Sequence, residues 1–209
     1  MKIEVISLFP KMFESPFNEG MVARAKKKKI IEIKFHNLRK WAGNKYQAVD
    51  DKPFGGGPGM LIRVDVVAKA LKDVGAGYKI LLSARGKRLT QKRVEELARI
   101  ERLILICGHY EGVDQRVADC LVDEEISIGD YVLSGGELAA MILIDALCRL
   151  QKGVLGNEAS SKSESFSAPR RLREYQQYTR PEIFEGQRVP PVLLSGNPKK
   201  IQEWQEGHR

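Results

Sequence analysis

A chain of 209 residues with 43% hydrophobic and 30% charged positions can bury one sizeable core, or a core plus a small accessory module, which argues against a disordered or fibrous protein. Its 35 lysines and arginines against 27 acidic residues leave a net charge of +8, with a pI near 9.4; this favours a polyanionic partner, nucleic acid first, although mild basicity also serves solubility alone. Cys107, Cys120 and Cys148 form no CxxC pattern and only His36, His109 and His208 could join them, so neither a disulfide framework nor a metal site is expected.

At the N-terminus MKIEVISLFP lacks the apolar stretch and cleavage site of a signal peptide. The best apolar run further on, Leu138 to Ile144, stops at Asp145, well short of the ~20 residues that cross a bilayer. The expected location is cytoplasmic.

The first two thirds alternate β-type runs with helical patterns. Ile3 to Phe9, Ile31 to Phe35, Tyr78 to Ser83 and Leu103 to Cys107 read as strands. Between them Val64, Val67, Leu71 and Val74 recur at helical spacing with Gly75 as a stop, and Thr90 opens a helix carrying Val94, Leu97 and Ala98. Such alternation predicts an α/β domain with a largely parallel sheet. From Gly135 to Leu150 runs a helix that is apolar on nearly every side, and it is expected to be buried, covered by its own sheet or by a second copy of the chain; a homodimer is one expectation. Between Gly153 and Arg173 the chain turns polar and Ser-rich, which reads as an interdomain linker. TRPEIFEG, the Pro190–Pro191 pair and a short helix from Pro198 to Trp204 then suffice for a small helical module.

Three glycine-bearing turns follow β-type segments: SARG at 83 to 86, CGHYEG at 107 to 112 and SIGDYVLSGGE at 127 to 137. In open α/β sheets ligands bind beyond the carboxyl ends of the strands, where glycine lets backbone approach closely. Any one of these turns could be merely tight; together they predict one pocket. GGGPGM at 55 to 60 lacks the Lys and Ser or Thr of a Walker-type phosphate loop, and no GxGxxG follows a strand.

VDDKPFGGGPGM at 49 to 60, LILICGHYEGVDQRV at 103 to 117, ISIGDYVLSGGELAAMILIDALCR at 126 to 149, YTRPEIFEG and VPPVLLSGN resemble the bacterial tRNA (guanine-N(1)-)-methyltransferases, the TrmD family of knotted SPOUT methyltransferases. The likeness runs from ISLFP at 6 to 10 through Trp204 with the motifs in the family's order. It implies an α/β fold with a SPOUT-type largely parallel sheet and a deep trefoil knot, followed by a small helical C-terminal domain. The divisions expected are 1–160 for the methyltransferase domain, 161–172 for the linker and 173–209 for a tRNA-binding domain. It further implies an obligate homodimer with active sites at the subunit interface, and methylation of ring nitrogen 1 of the guanosine at tRNA position 37, just 3′ of the anticodon. The donor implied is S-adenosylmethionine, with magnesium as an auxiliary ion.

Carried over by position, the resemblance gives a cofactor pocket of Ala84 and Gly86, then Gly108, Tyr110 and Glu111, and finally Ile128, Gly129, Asp130, Tyr131, Val132 and Leu133 with Gly135 and Gly136. The acceptor nitrogen carries a proton and is a poor nucleophile until that proton leaves, so a base is needed beside it. The family's base is commonly an Asp in the linker; this chain has Glu164 there, in a setting where a lone Glu would otherwise be a solvated charge. As the proton leaves, charge builds on the neighbouring guanine oxygen, and Arg149 matches the family's arginine; with Asp145 one turn earlier it would also make an ordinary helix ion pair. Glu111 is implied either toward the cofactor's cationic end or as a magnesium holder, against the plainer role of a turn residue.

Arg170, Arg171, Arg173, Arg180 and Arg188 flank the proposed base and are expected to meet tRNA phosphates, while Lys26 to Lys29 read as a solvated helix end. Three features depart from the family: Glu164 for Asp, Ala84 where Pro is frequent, and an end at Arg209 where relatives continue through further helices. A binding protein that has lost the chemistry and a ribose methyltransferase of the same knotted class are the competing readings.

Overall fold

The computed structural model describes residues 1–155, 164–167, 169 and 171–208. They fall into two compact units, Met1–Gly156 and Asn157–Arg209.

The first unit is organised by a five-stranded sheet in the order β2-β1-β6-β5-β7, from β1 (Lys2–Ser7), β2 (Glu32–Asn37), β5 (Tyr78–Arg88), β6 (Arg102–Cys107) and β7 (Glu124–Ser127). Every pairing within it is parallel, as alternating β and α patterns require. Side chains of successive strand residues point to opposite faces, and both faces are apolar. Ile3, Val5, Ile80, Leu82, Leu103, Leu105 and Cys107 face one core cluster; Ile6, Leu81, Ile104 and Ile106 face the other. Burying each such side chain contributes about 1.5–3 kcal/mol, so the near-continuous apolar runs of β1 and β6 define the middle of the sheet.

Helices α1 (Gly20–Lys27), α3 (Gln91–Leu97) and α5 (Glu137–Arg149) pack on the first face, α2 (Val64–Val74) and α4 (Gln115–Cys120) on the second. α2 runs from Val64 to Val74 and ends at Gly75, whose φ of +91° suits glycine. Thr90 caps α3 by accepting a hydrogen bond from the Arg93 amide. The short pair β3 (Asp50–Asp51) and β4 (Leu61–Ile62) is antiparallel and closes the glycine-rich segment between them into a loop.

Two features differ from the sequence pattern, and a third bears on an alternative it left open. β5 does not stop at Ser83 but continues to Arg88, because its end pairs with β7 after a register shift between Leu82 and Lys87. β7 is too short and too acidic to register as β-type; Glu124 is held in it by Arg93 at 2.6 Å, while Ile126 and Ser127 are buried. α5 is not covered all round: Ala140, Leu143, Ile144 and Leu147 enter the core, whereas Leu138 and Ile142 remain 46% and 49% exposed.

In the second unit, Ser167 folds back on Glu164, its hydroxyl and its amide both donating to the Glu164 carbonyl. The linker expected over 161–172 lies partly outside the described residues. A hairpin of β8 (Ile183–Phe184) and β9 (Gln187–Arg188), absent from the sequence expectation, precedes α6 (Pro191–Leu194) and α7 (Pro198–Gly207). Asn197 caps α7 by accepting from the Lys199 and Lys200 amides, with Pro198 in the first turn where its missing N–H costs nothing. Trp204 stacks on His208 at 4.2 Å. Among the described residues no helix is long and apolar enough to cross a membrane.

Candidate functional site

The carboxyl ends of β5, β6 and β7 open into a cavity of about 310 Å³ within the first unit, a size suited to a small organic ligand. Its wall brings together the three turns singled out in the sequence. From β5 come Ser83, Ala84 and Arg85; from the end of β6, Gly108 to Gly112; after β7, Ile128, Gly129, Tyr131 to Leu133 and Gly135 with Gly136.

Close backbone approach explains the glycines. A Cβ on Gly136 would sit 2.8 Å from the Cα of Cys107, and the Gly136 amide donates to the Gly108 carbonyl at 2.7 Å, so the last turn is bolted onto the end of β6. A Cβ on Gly135 would collide with the Glu137 carboxylate and the His109 ring. Tyr110 adopts a φ of +59°, a left-handed conformation unusual for an aromatic residue, directly in the cavity wall. Next to it the Glu111 amide donates to the Met60 carbonyl at 3.1 Å, which ties the foot of the glycine-rich loop to the cavity rim.

Behind the wall lies a polar cluster that the sequence alone did not reveal. Ser7 at the end of β1 accepts from the Phe9 amide at 2.8 Å and donates to Glu137 at 2.7 Å, and Glu137 is only 2% exposed. Phe9 meets the His109 ring edge-on at 4.9 Å, and His109 Nδ1 is buried with no hydrogen-bond partner among the described residues. Only the sequence adjacency of Glu137 to the GG pair hinted at it. Cys107 is no nucleophile: burial, reinforced by the nearby Glu137, pushes its thiol well above the ordinary range.

Two of the expected pocket residues lie outside the wall. Gly86 sits in the register shift where β5 pairs with β7, so close that a Cβ would meet the Ile126 amide nitrogen at 2.5 Å. Asp130 points outward, 88% exposed and 3.7 Å from Arg88. The wall also includes His109, inside the second glycine turn but not singled out, and Leu61, Val113 and Gln115, which the sequence reading missed because they are ordinary residues outside the glycine turns.

Arg149 is the last residue of α5, half-buried, where a cation complements the helix dipole. Glu164 is half-buried in the second unit. Arg173, Arg180 and Arg188 are exposed there, Arg188 lying 3.6 Å from Glu182. Arg171 is half-buried and donates to the Phe166 carbonyl; Arg170 lies outside the described residues.

The cavity suits a small organic ligand: backbone of the glycine turns can approach it closely, and its wall combines apolar with polar side chains. S-adenosylmethionine fits that description. Among the described residues no group of three or more His, Cys, Asp or Glu is placed to hold a metal ion; magnesium, which keeps much of its water, needs only one or two carboxylates, and Glu111 in the cavity wall offers one.

Comparison with known proteins matches residues 1–209 to the family described as tRNA (Guanine-1)-methyltransferase TrmD. A tRNA (guanine-N(1)-)-methyltransferase of Carboxydothermus hydrogenoformans is 50% identical over 208 residues, covering 99% of this chain and 81% of the relative. Those of Syntrophomonas wolfei and Geobacillus kaustophilus are 50% and 48% identical, with 99% of this chain aligned to 84% and 85% of each.

Proposed function

The chain belongs to the tRNA (guanine-1)-methyltransferase TrmD family, enzymes that methylate ring nitrogen 1 of guanine in tRNA from S-adenosylmethionine, and we propose that its target is the guanosine at position 37, beside the anticodon. The observation that carries the proposal is the glycine-walled cavity at the carboxyl ends of β5, β6 and β7, to which Ala84, Gly108, Tyr110, Glu111 and the 128–136 turn all contribute.

Backbone of Gly108, Gly135 and Gly136 and the side chains of Tyr131, Val132 and Leu133 would hold the donor, with Tyr110 and Glu111 at the rim and Gly86 in the register shift beneath. When bound, S-adenosylmethionine supplies a methyl group already activated on a sulfonium. What remains for the chain is to expose a lone pair on the acceptor nitrogen. Glu164 takes the N1 proton as general base, and Arg149 offsets the negative charge that moves onto the neighbouring oxygen. Fixing donor and acceptor in line accounts for much of the remaining rate. No step is assigned to magnesium.

Two close backbone approaches, Gly86 against Glu125–Ile126 and Gly136 against Cys107–Gly108, are in keeping with the deep trefoil knot, since a chain threaded through a loop must pass backbone against backbone. The exposed apolar pair Leu138 and Ile142, one turn apart on α5, supports a homodimer, in which a second copy covers it. The domain division proposed is 1–160 for methyl transfer, 161–172 for the linker and 173–209 for tRNA binding, with Arg170, Arg171, Arg173, Arg180 and Arg188 on phosphates. A tRNA substrate sets the work in the cytoplasm.

The test is methyl transfer from labelled S-adenosylmethionine to unmodified tRNA transcripts with guanosine or adenosine at position 37, followed by identification of the product nucleoside. Label in 1-methylguanosine from the guanosine transcript alone is expected. Label on a ribose, or tRNA binding without transfer, would replace this reading with one of its competitors.

A further inference from the structure

Between β3 and β4 the chain runs through Lys52, Pro53, Phe54 and then Gly55, Gly56 and Gly57, and the Phe54 ring is 100% exposed. A single exposed apolar side chain is ordinary on a protein surface. Three features set this one apart.

The path of the loop depends on its glycines. Gly55, Gly56, Gly57 and Gly59 have φ of +84°, +81°, +120° and +77°, conformations that residues with side chains rarely take, so the path that presents Phe54 is written into the sequence. A Cβ placed on Gly55, Gly56 or Gly57 would meet nothing within 4 Å, so the loop beside the ring borders open space and supplies no side chain to cover it.

Its foot is part of the reaction site. Met60 accepts from the Glu111 amide, a Cβ on Gly59 would strike the Glu111 side chain, and Leu61 lines the cavity. Phe54 is five residues from Gly59, so its backbone lies no more than about 18 Å from the rim. It is nevertheless not in the cavity wall.

The surroundings match a polyanion that carries flat rings. Lys52 is exposed next to Phe54, and the turn that leads into β3 holds Tyr46, 78% exposed, with Lys45 Nζ 5.0 Å from its ring centroid. Exposed aromatic faces interleaved with lysines are the chemistry by which proteins hold unstacked bases and the phosphates between them.

We propose that Phe54 is a stacking platform for a nucleobase of the substrate's anticodon loop that flanks the target guanine. The occupant is a flanking base because the ring stands outside the cavity that the target must reach. By holding that neighbour out of the anticodon-loop stack, Phe54 lets the target base turn toward the cavity; it is a positioning residue and touches neither donor nor acceptor atoms. The proposal rests on the tRNA methylation reading above.

The experiment compares the full chain with Phe54→Ala, Phe54→Leu and Phe54→Tyr, measuring kcat/KM for a guanosine-37 tRNA transcript and S-adenosylmethionine binding by equilibrium dialysis. Loss of a stacked base lowers kcat/KM about 5- to 150-fold in the alanine variant. Leucine keeps the apolar bulk without a π-face and falls with alanine; tyrosine stays near the parent; donor affinity is unchanged in all three. Full activity in the alanine or leucine variant would overturn the stacking role, as would a parallel loss of donor affinity. A parent chain that transfers no methyl to guanine would instead bring down the functional reading and this inference with it.

Discussion

The first unit buries whole side chains on both faces of its sheet, whereas none of the described residues from 164 to 208 is buried. Ile104, Leu105 and Ile106 in β6 are at most 1% exposed, while α7 has no buried residue and is held at its start by the Asn197 cap and at its end by a Trp204–His208 stack. Caps and single hydrogen bonds contribute on the order of 1 kcal/mol each, against several times that for a packed strand residue and its neighbours. The shape of the donor cavity is therefore set by a core that exists before any ligand arrives. The second unit is specified by local interactions. The division of labour proposed above follows the same line: donor residues belong to the first unit, the base Glu164 and the arginines other than Arg149 to the second.

The largest effect that would break this comparison is at Glu164. Glu164→Gln removes the proton acceptor without changing size, and kcat is expected to fall about 10²- to 10⁴-fold while S-adenosylmethionine affinity holds. Glu164→Asp, which keeps the carboxylate, should recover most of the rate in the same steady-state assay. An unimpaired Gln variant would mean that the base lies elsewhere.

A smaller effect, opposite in kind, is expected in the first unit. Gly136→Ala pushes a methyl into the backbone at Cys107 and Gly108, and overpacking of that sort costs about 1–3 kcal/mol. Thermal melting should drop by several degrees, and donor affinity should weaken with it because the displaced turn is cavity wall. A variant with parental melting temperature and donor affinity would show that the turn has slack, contrary to the 2.7 Å bond between Gly136 and Gly108.

The same contrast explains what the sequence disclosed. Buried strands are short continuous apolar runs and amphipathic helices are periodic, so β1, β6 and α2 with its Gly75 stop could be read from the sequence alone. The glycine turns could be read because glycine marks close approach, and they do converge on one cavity. β7 could not, since four residues reading EEIS become a strand only through pairing with β5 and the Arg93 ion pair. Nor could the contact between Ser7 and Glu137, 130 positions apart in the chain. For α5 the pattern left two covers open for a related reason: the helix is apolar on nearly every side, and which face the chain itself covers depends on where the sheet lies. In the second unit, where periodicity is weak, the β8–β9 hairpin went unread.

The finest discrimination lies among the exposed arginines of the second unit. Each phosphate contact adds close to one unit to the slope of log affinity against log salt, so removing one cation should flatten that slope by roughly 0.7–0.9 and weaken tRNA binding modestly at physiological ionic strength. Arg173 and Arg188 are both exposed, but Arg188 lies 3.6 Å from Glu182, and an arginine that must leave a carboxylate to meet a phosphate gains less from the exchange. Arg173→Ala is therefore expected to flatten the slope more than Arg188→Ala. In filter binding across a salt series, Glu182→Ala should steepen the parent's slope but leave that of the Arg188→Ala chain nearly unchanged. Equal slopes for the two arginine variants would mean that the Glu182 carboxylate does not hold Arg188 back, and that the cations of this unit act as a diffuse field rather than as individual contacts.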